Sequence, residues 1–124
     1  MRDQAMDNAL DLLQQATVTL SQGGSIKERL VDAYSAHLIL VDAQQLPDSV
    51  RDEFSVLCAA MHREAPLPRE SAIRASVRKM SNAEASRYAE MVVRIFAALA
   101  RANMTPAWRG VRPAPVVQLL AAEA

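Results

Sequence analysis

Apolar residues recur along this chain at spacings of three and four, and the places where the recurrence breaks divide it into helices. Between residues 2 and 21 they fall at Met6, Leu10, Leu13 and Leu20, with Ala9 and Ala16 beside them, which is the period of one helical face. Gln22-Gly23-Gly24 closes that segment. Ser25 then opens the stretch SIKE, a capping box in which the Ser25 hydroxyl accepts from the Glu28 amide and the Glu28 carboxylate reaches back to the Ser25 amide. The stripe that follows, Leu30, Tyr34, His37, Leu38 and Val41, predicts a second helix that fades near Gln44, because Pro47 disfavours helix just before it. Pro47 itself suits the first turn of a third helix. There Val50, Phe54, Leu57 and Met61 share a face, Asp48, Asp52 and Glu53 lie near the positive end, and the pattern stops near Glu64.

Two prolines in APLPRES, residues 65–71, mark an internal loop. A short helix follows with Ile73, Val77 and Met80 inward. Ser81 and Glu84 form a second capping box and open the most strongly patterned helix, whose stripe runs through Ala85, Tyr88, Ala89, Val92, Ile95, Phe96 and Leu99. This helix is the expected spine of the core. After Asn103 the segment MTPAWRGVRPAP carries three prolines and a glycine and breaks the pattern, while VVQLLAAEA has length for about two turns. With no strand alternation of useful length and no internal repeat, the expected fold is an all-α bundle of four to five helices. The expected division is residues 1–103 as a single-domain helical bundle and residues 104–124 as a Pro-containing C-terminal arm with a short terminal helix.

Composition agrees with helices. Of 124 residues, 51% are apolar, only 4% are aromatic and three are glycine, so the core must be built from Leu, Val, Ile, Ala and Met. Formal net charge is zero, yet residues 1–64 carry five Lys/Arg against ten Asp/Glu and residues 65–124 carry nine against four. Cys58 is the single cysteine, which excludes an internal disulfide and suits a reducing compartment. The N-terminus lacks the apolar run of a signal peptide, and no stretch is long enough to span a bilayer; a cytoplasmic protein without membrane contact is expected.

Candidate chemistry is sparse. Cys58 and His62 make one i, i+4 pair, His37 lies on another helix, and two ligands do not make a metal site. Asp3, Asp7 and Asp11 share one side of the first helix but lack the turn and extra oxygens of a calcium loop. No phosphate loop and no nucleophile with its base is present, so neither an enzyme nor a cofactor is expected. His37, between Tyr34 and Val41 on the apolar stripe, reads as a buried structural histidine.

Interaction remains as the expected function. A small cytoplasmic adaptor or regulator acting through protein contacts, with a protein partner or a second copy in a homodimer, accounts for the apolar content and the unequal halves. The candidate contact residues in the arm are Trp108, the only tryptophan, with Arg109 and Arg112, which can stack on aromatic faces or pair with carboxylates. The arm docks on its own body, is exchanged with a second copy, or awaits a partner.

A first alternative is a nucleic-acid-binding regulator using a basic patch at Arg74, Arg78 and Lys79, where RKMSNAEASRYAEM gives the corner of a helix-turn-helix. Its reading turn would present Glu84 to phosphates, so specific nucleic-acid binding is not expected. A second alternative is a histidine phosphotransfer-like module, which the chain resembles in size and class. Such histidines are typically followed by Lys three and Gly four residues on, whereas His37 is followed there by Leu40 and Val41, and His62 by Ala65 and Pro66.

Overall fold

The computed structural model describes residues 2–103 and, within that range, the side chains of residues 8–103. The described chain is all α. Five helices, α1 (Arg2–Leu20), α2 (Ile26–Ala36), α3 (Asp48–Met61), α4 (Ala72–Arg78) and α5 (Asn82–Ala102), are joined by short turns, two of them 3-10 turns at Leu38–Leu40 and Ala43–Gln45. The arm at 104–124, and with it Trp108, Arg109 and Arg112, lies outside the described residues, as do the side chains of Met6, Asp3 and Asp7.

Three helices begin the same way, with a serine hydroxyl accepting from the amide three residues on. Ser25 caps α2 through Glu28 N, Ser71 caps α4 through Arg74 N, and Ser81 caps α5 through Glu84 N, at 3.0 to 3.1 Å. Each satisfies one of the amides that a helix start leaves without a partner. Ser25 and Ser81 are the two caps expected from the sequence; Ser71, assigned there to the loop, is a third. The carboxylate of Glu84 turns away from its own helix and meets Arg63 Nη1 at 3.2 Å.

The expected stripes form one core. Leu13, Leu30, Phe54, Leu57, Met61, Val92, Ile95 and Leu99 are almost entirely closed to solvent, and Ile73, Val77 and Met80 face inward from α4 and its end. Helix α5 packs against α1, α2 and α3, which makes it the spine that its pattern predicts. Ser76 is the one buried polar residue among those described, and its hydroxyl accepts from the Glu64 amide at 3.0 Å, tying the end of α3 to α4. No buried side-chain nitrogen or oxygen among the described residues lacks a partner.

The second helix departs from the sequence reading. It ends at Ala36 rather than near Gln44, with His37 at φ −128°, ψ −57° as its C-cap. The reason lies in Leu38-Ile39-Leu40-Val41: four consecutive apolar residues on an α-helix would point around its whole circumference, and only one side of α2 faces the core. A 3-10 turn instead buries Leu38 and leaves Ile39 and Leu40 outside. Asp42 then accepts from Gln44 N at 3.0 Å, a local bond that competes with helix and starts the second 3-10 turn. Pro47 stands just before α3 as its N-cap, one position earlier than expected, and α3 closes at Met61 rather than Glu64.

Candidate interaction surface

The basic patch is a mixed-charge surface. Arg78 grips Glu70 with two bonds, Nε to Oε2 at 2.8 Å and Nη2 to Oε1 at 3.2 Å. Those bonds, joined by one from the Leu67 amide, hold the Glu70 carboxyl below the usual carboxylate range. Lys79 Nζ lies 3.9 Å from Glu64, and Arg74 lines a cleft with Glu28 and Asp32 of α2. Lys27 Nζ donates to the Arg78 carbonyl at 3.3 Å. All three cations are thus placed on or beside α4, as the sequence suggests, but the fold interleaves them with four carboxylates. At the same corner Arg63 pairs with Glu84, so the turn that would read bases in the nucleic-acid alternative carries a carboxylate already engaged just beyond the end of α3.

A second constellation joins α2 to α3. The Tyr34 hydroxyl lies 3.1 Å from His62 Nε2, with the two rings edge to face at 5.5 Å, and Cys58 one turn earlier on α3 shares the same hydroxyl. Burial pushes the Tyr34 phenol far above its ordinary value of 10.0, and the Cys58 thiol adds to the shift. Burial also pushes the Cys58 thiol up from 9.0, partly opposed by its hydrogen bond with Tyr34. A thiol held protonated is a poor nucleophile and a poor metal ligand. This cluster locks two helices together.

His37 departs from expectation. It is half-buried rather than buried, sits beyond the last turn of α2, and its Nε2 lies 3.2 Å from Thr19 Oγ1 on α1. From His37 onward the chain runs back along α1. One cleft of about 320 Å³ opens where His37 and Thr19 meet Asp11, Gln15 and Val18. Another of about 150 Å³ opens where Leu40, Val41 and Asp42 face Asn8 and Leu12. Leu40, 67% exposed, lines the second cleft, with Ile39 (49% exposed) next to it in the 3-10 turn, and Val18 of α1 (53% exposed) lines the first. These are three of the six large hydrophobic side chains exposed on the described surface; the others, Val56, Leu67 and Val93, are on α3, in the 65–71 loop and on α5. The rim carries Asp11 and Asp42, and among the described residues no lysine or arginine lines either cleft.

Sequence reasoning missed this flank because it placed Leu38 and Val41 on a helical stripe and gave Ile39 and Leu40 no place on a surface. The signal was the unbroken apolar run itself, which one helix face cannot bury. The chain matches no protein-family model, and no match was found among curated proteins or solved structures.

Proposed function

We propose that the protein is a small adaptor or regulator that acts through protein–protein contacts, and that the flank formed by α1 and residues 37–45 is its contact surface. The observation that supports this most is that Val18 and Leu40, two of the six large hydrophobic side chains exposed on the described surface, each line a cleft between α1 and residues 37–45, with the exposed Ile39 next to Leu40. Apolar side chains grouped beside clefts and rimmed by polar residues characterise surfaces that meet another protein. The alternatives draw less support. The cations at Arg78 and Lys79 face carboxylates, which opposes a phosphate backbone. Both histidines have Nε2 within hydrogen-bonding distance of a hydroxyl, Thr19 for His37 and Tyr34 for His62, which a phosphoryl acceptor would have to break.

No helix among the described residues is long and apolar enough to cross a membrane, and the proposed partner is a protein. A photoreactive side chain placed at position 40, with one at position 67 as control, tests the proposal in the source cell. Leu40 and Leu67 are both well exposed, at 67% and 57%. The expected result is a crosslinked protein product from position 40 that position 67 does not give. Equal products, or none from position 40, would contradict the reading.

A further inference from the structure

We propose that the cleft between α2 and α4 binds a free α-amino acid with an aliphatic side chain, its carboxylate on Arg74, its ammonium between Glu28 and Asp32, and its side chain over Val31 and Val77. The site shares no residue with the flank described above and goes beyond the contact reading.

The first observation is a set of opposite charges that the fold brings together and leaves apart. The cations around Arg74 are closed against the chain: Arg78 takes both oxygens of Glu70, Lys79 faces Glu64, and Lys27 Nζ donates to the Arg78 carbonyl. Arg74 is different. It lines a cleft of about 250 Å³ with Glu28 and Asp32, and among the described residues none of these three side-chain charges makes an ion pair. The field of Arg74 reaches the Glu70 carboxylate, but the oxygens of that group already accept from Arg78 and from the Leu67 amide. A guanidinium fork matches a carboxylate with two parallel bonds. Glu28 and Asp32, one turn apart on the same side of α2, offer acceptors for an ammonium. A simple anion in this cleft would face two carboxylates, and a simple cation would face Arg74. A molecule that carries both signs meets neither penalty.

The second observation is an apolar floor beside those charges. A further cleft, of about 200 Å³, adjoins the first, since Glu28 and Arg74 line both. Its apolar members are Val31 of α2 and Val77 of α4, core residues only 7% and 1% exposed, so the packing of the two helices fixes them in place. Small-molecule sites combine such an apolar surface with a few convergent polar groups. An α-amino acid carries ammonium, carboxylate and side chain on one carbon, which lets the charges occupy the first cleft while the side chain enters the second. A branched aliphatic chain such as that of leucine suits a floor made of two valines.

Amide chemical shifts of the full-length, nitrogen-15-labelled chain, titrated at constant pH, test this. The probes are L-leucine, glycine, L-leucinamide, which lacks the carboxylate, and N-acetyl-L-leucine, which lacks the ammonium. L-leucine should give saturable shifts centred on residues 27–32 and 74–78, and the other three should bind several-fold more weakly. Arg74→Gln should weaken L-leucine about tenfold, to the affinity of L-leucinamide, and Asp32→Asn should bring it toward that of N-acetyl-L-leucine. Arg74 and Asp32 are exposed, so the spectra of both variants should match the wild type away from the cleft. The comparison of the four probes uses the wild-type chain alone and stands even where a variant fails to fold. No saturable shift with L-leucine up to about 50 mM overturns the proposal, as do shifts centred elsewhere on the bundle. So does any of the other three probes binding as well as L-leucine, or an Arg74→Gln variant that binds it as the wild type does. Crosslinking from position 40 reads a different surface, so neither result decides the other.

Discussion

Burial and two neighbours act on a single proton at the Tyr34 hydroxyl. When Nε2 of His62 carries hydrogen it donates to the phenol oxygen, leaving the Tyr34 O–H for the Cys58 sulfur. The pattern fixes the end of α3 against α2 and keeps the phenol protonated. A pH dependence follows from it. Below pH about 10 the tyrosine is protonated whether the chain is folded or not, and its contribution to stability is fully present. Above that value the unfolded chain loses the proton and the folded chain keeps it, so stability falls as pH rises; Cys58, shifted in the same direction, starts its own decline from the ordinary thiol value of 9.0. Urea unfolding followed between pH 8 and pH about 11 should show this loss in the wild type, and Tyr34→Phe should flatten the part above pH 10. At neutral pH the same substitution should cost about 1 kcal/mol for the lost hydrogen bonds. A wild-type profile that stays level through pH 10 would contradict the buried, protonated phenol.

At the scale of elements, the helix starts were more readable than the ends of α2 and α3. Ser25 and Ser81 stand three residues before a glutamate, and both cap as that spacing predicts. Ser71 caps equally well, but with Arg74 in the third position it lacks the carboxylate that makes the pattern visible. Replacing Ser81 by Ala should destabilise the fold by about 1 kcal/mol, since it uncaps the longest helix. Leu99→Ala should cost more, about 2–5 kcal/mol, because the side chain is fully enclosed where α5 meets its neighbours. Chemical denaturation of both variants checks the order; a larger loss from the cap than from the core would mean that α5 is not the spine. The end of α2 was misread because periodicity tests positions one at a time, whereas what stops the helix is the collective demand of residues 38–41. The exposed Ile39 and Leu40, and the candidate surface with them, come from that same collective effect.

Across the whole molecule, the unequal halves seen in the sequence find partners within one chain. Arg63 of the acidic half pairs with Glu84 of the basic half, Lys79 of the basic half with Glu64 of the acidic, and Arg74 stands beside Glu28 and Asp32. These pairs are partly exposed and therefore worth little each, about 0–1 kcal/mol, and less at high salt. Raising sodium chloride to molar concentration should lower the unfolding midpoint only slightly; a large loss would show that the ion pairs, rather than the apolar core, hold the bundle. Substitutions on the flank should be similarly mild on the body itself, within about 0.5 kcal/mol for a side chain as exposed as Leu40. The all-α class, the spine and most of the core were legible because each stripe is buried by its own period. The candidate surface was not, because it depends on which residues the fold leaves over, and that is settled only when the helices are packed.

The claim that carries most of this account is that the flank of Val18, Ile39 and Leu40 is a surface the protein keeps for contact. Hydroxyl-radical footprinting of the intact chain tests it through matched pairs of side chains. Val18 and Val56 are each 53% exposed on the described body, and Leu40 at 67% is more exposed than Leu67 at 57%. Adding source-cell extract should slow oxidation of Val18 relative to Val56, and of Leu40 relative to Leu67, several-fold. Ratios that the extract leaves unchanged would contradict the contact surface proposed for the flank.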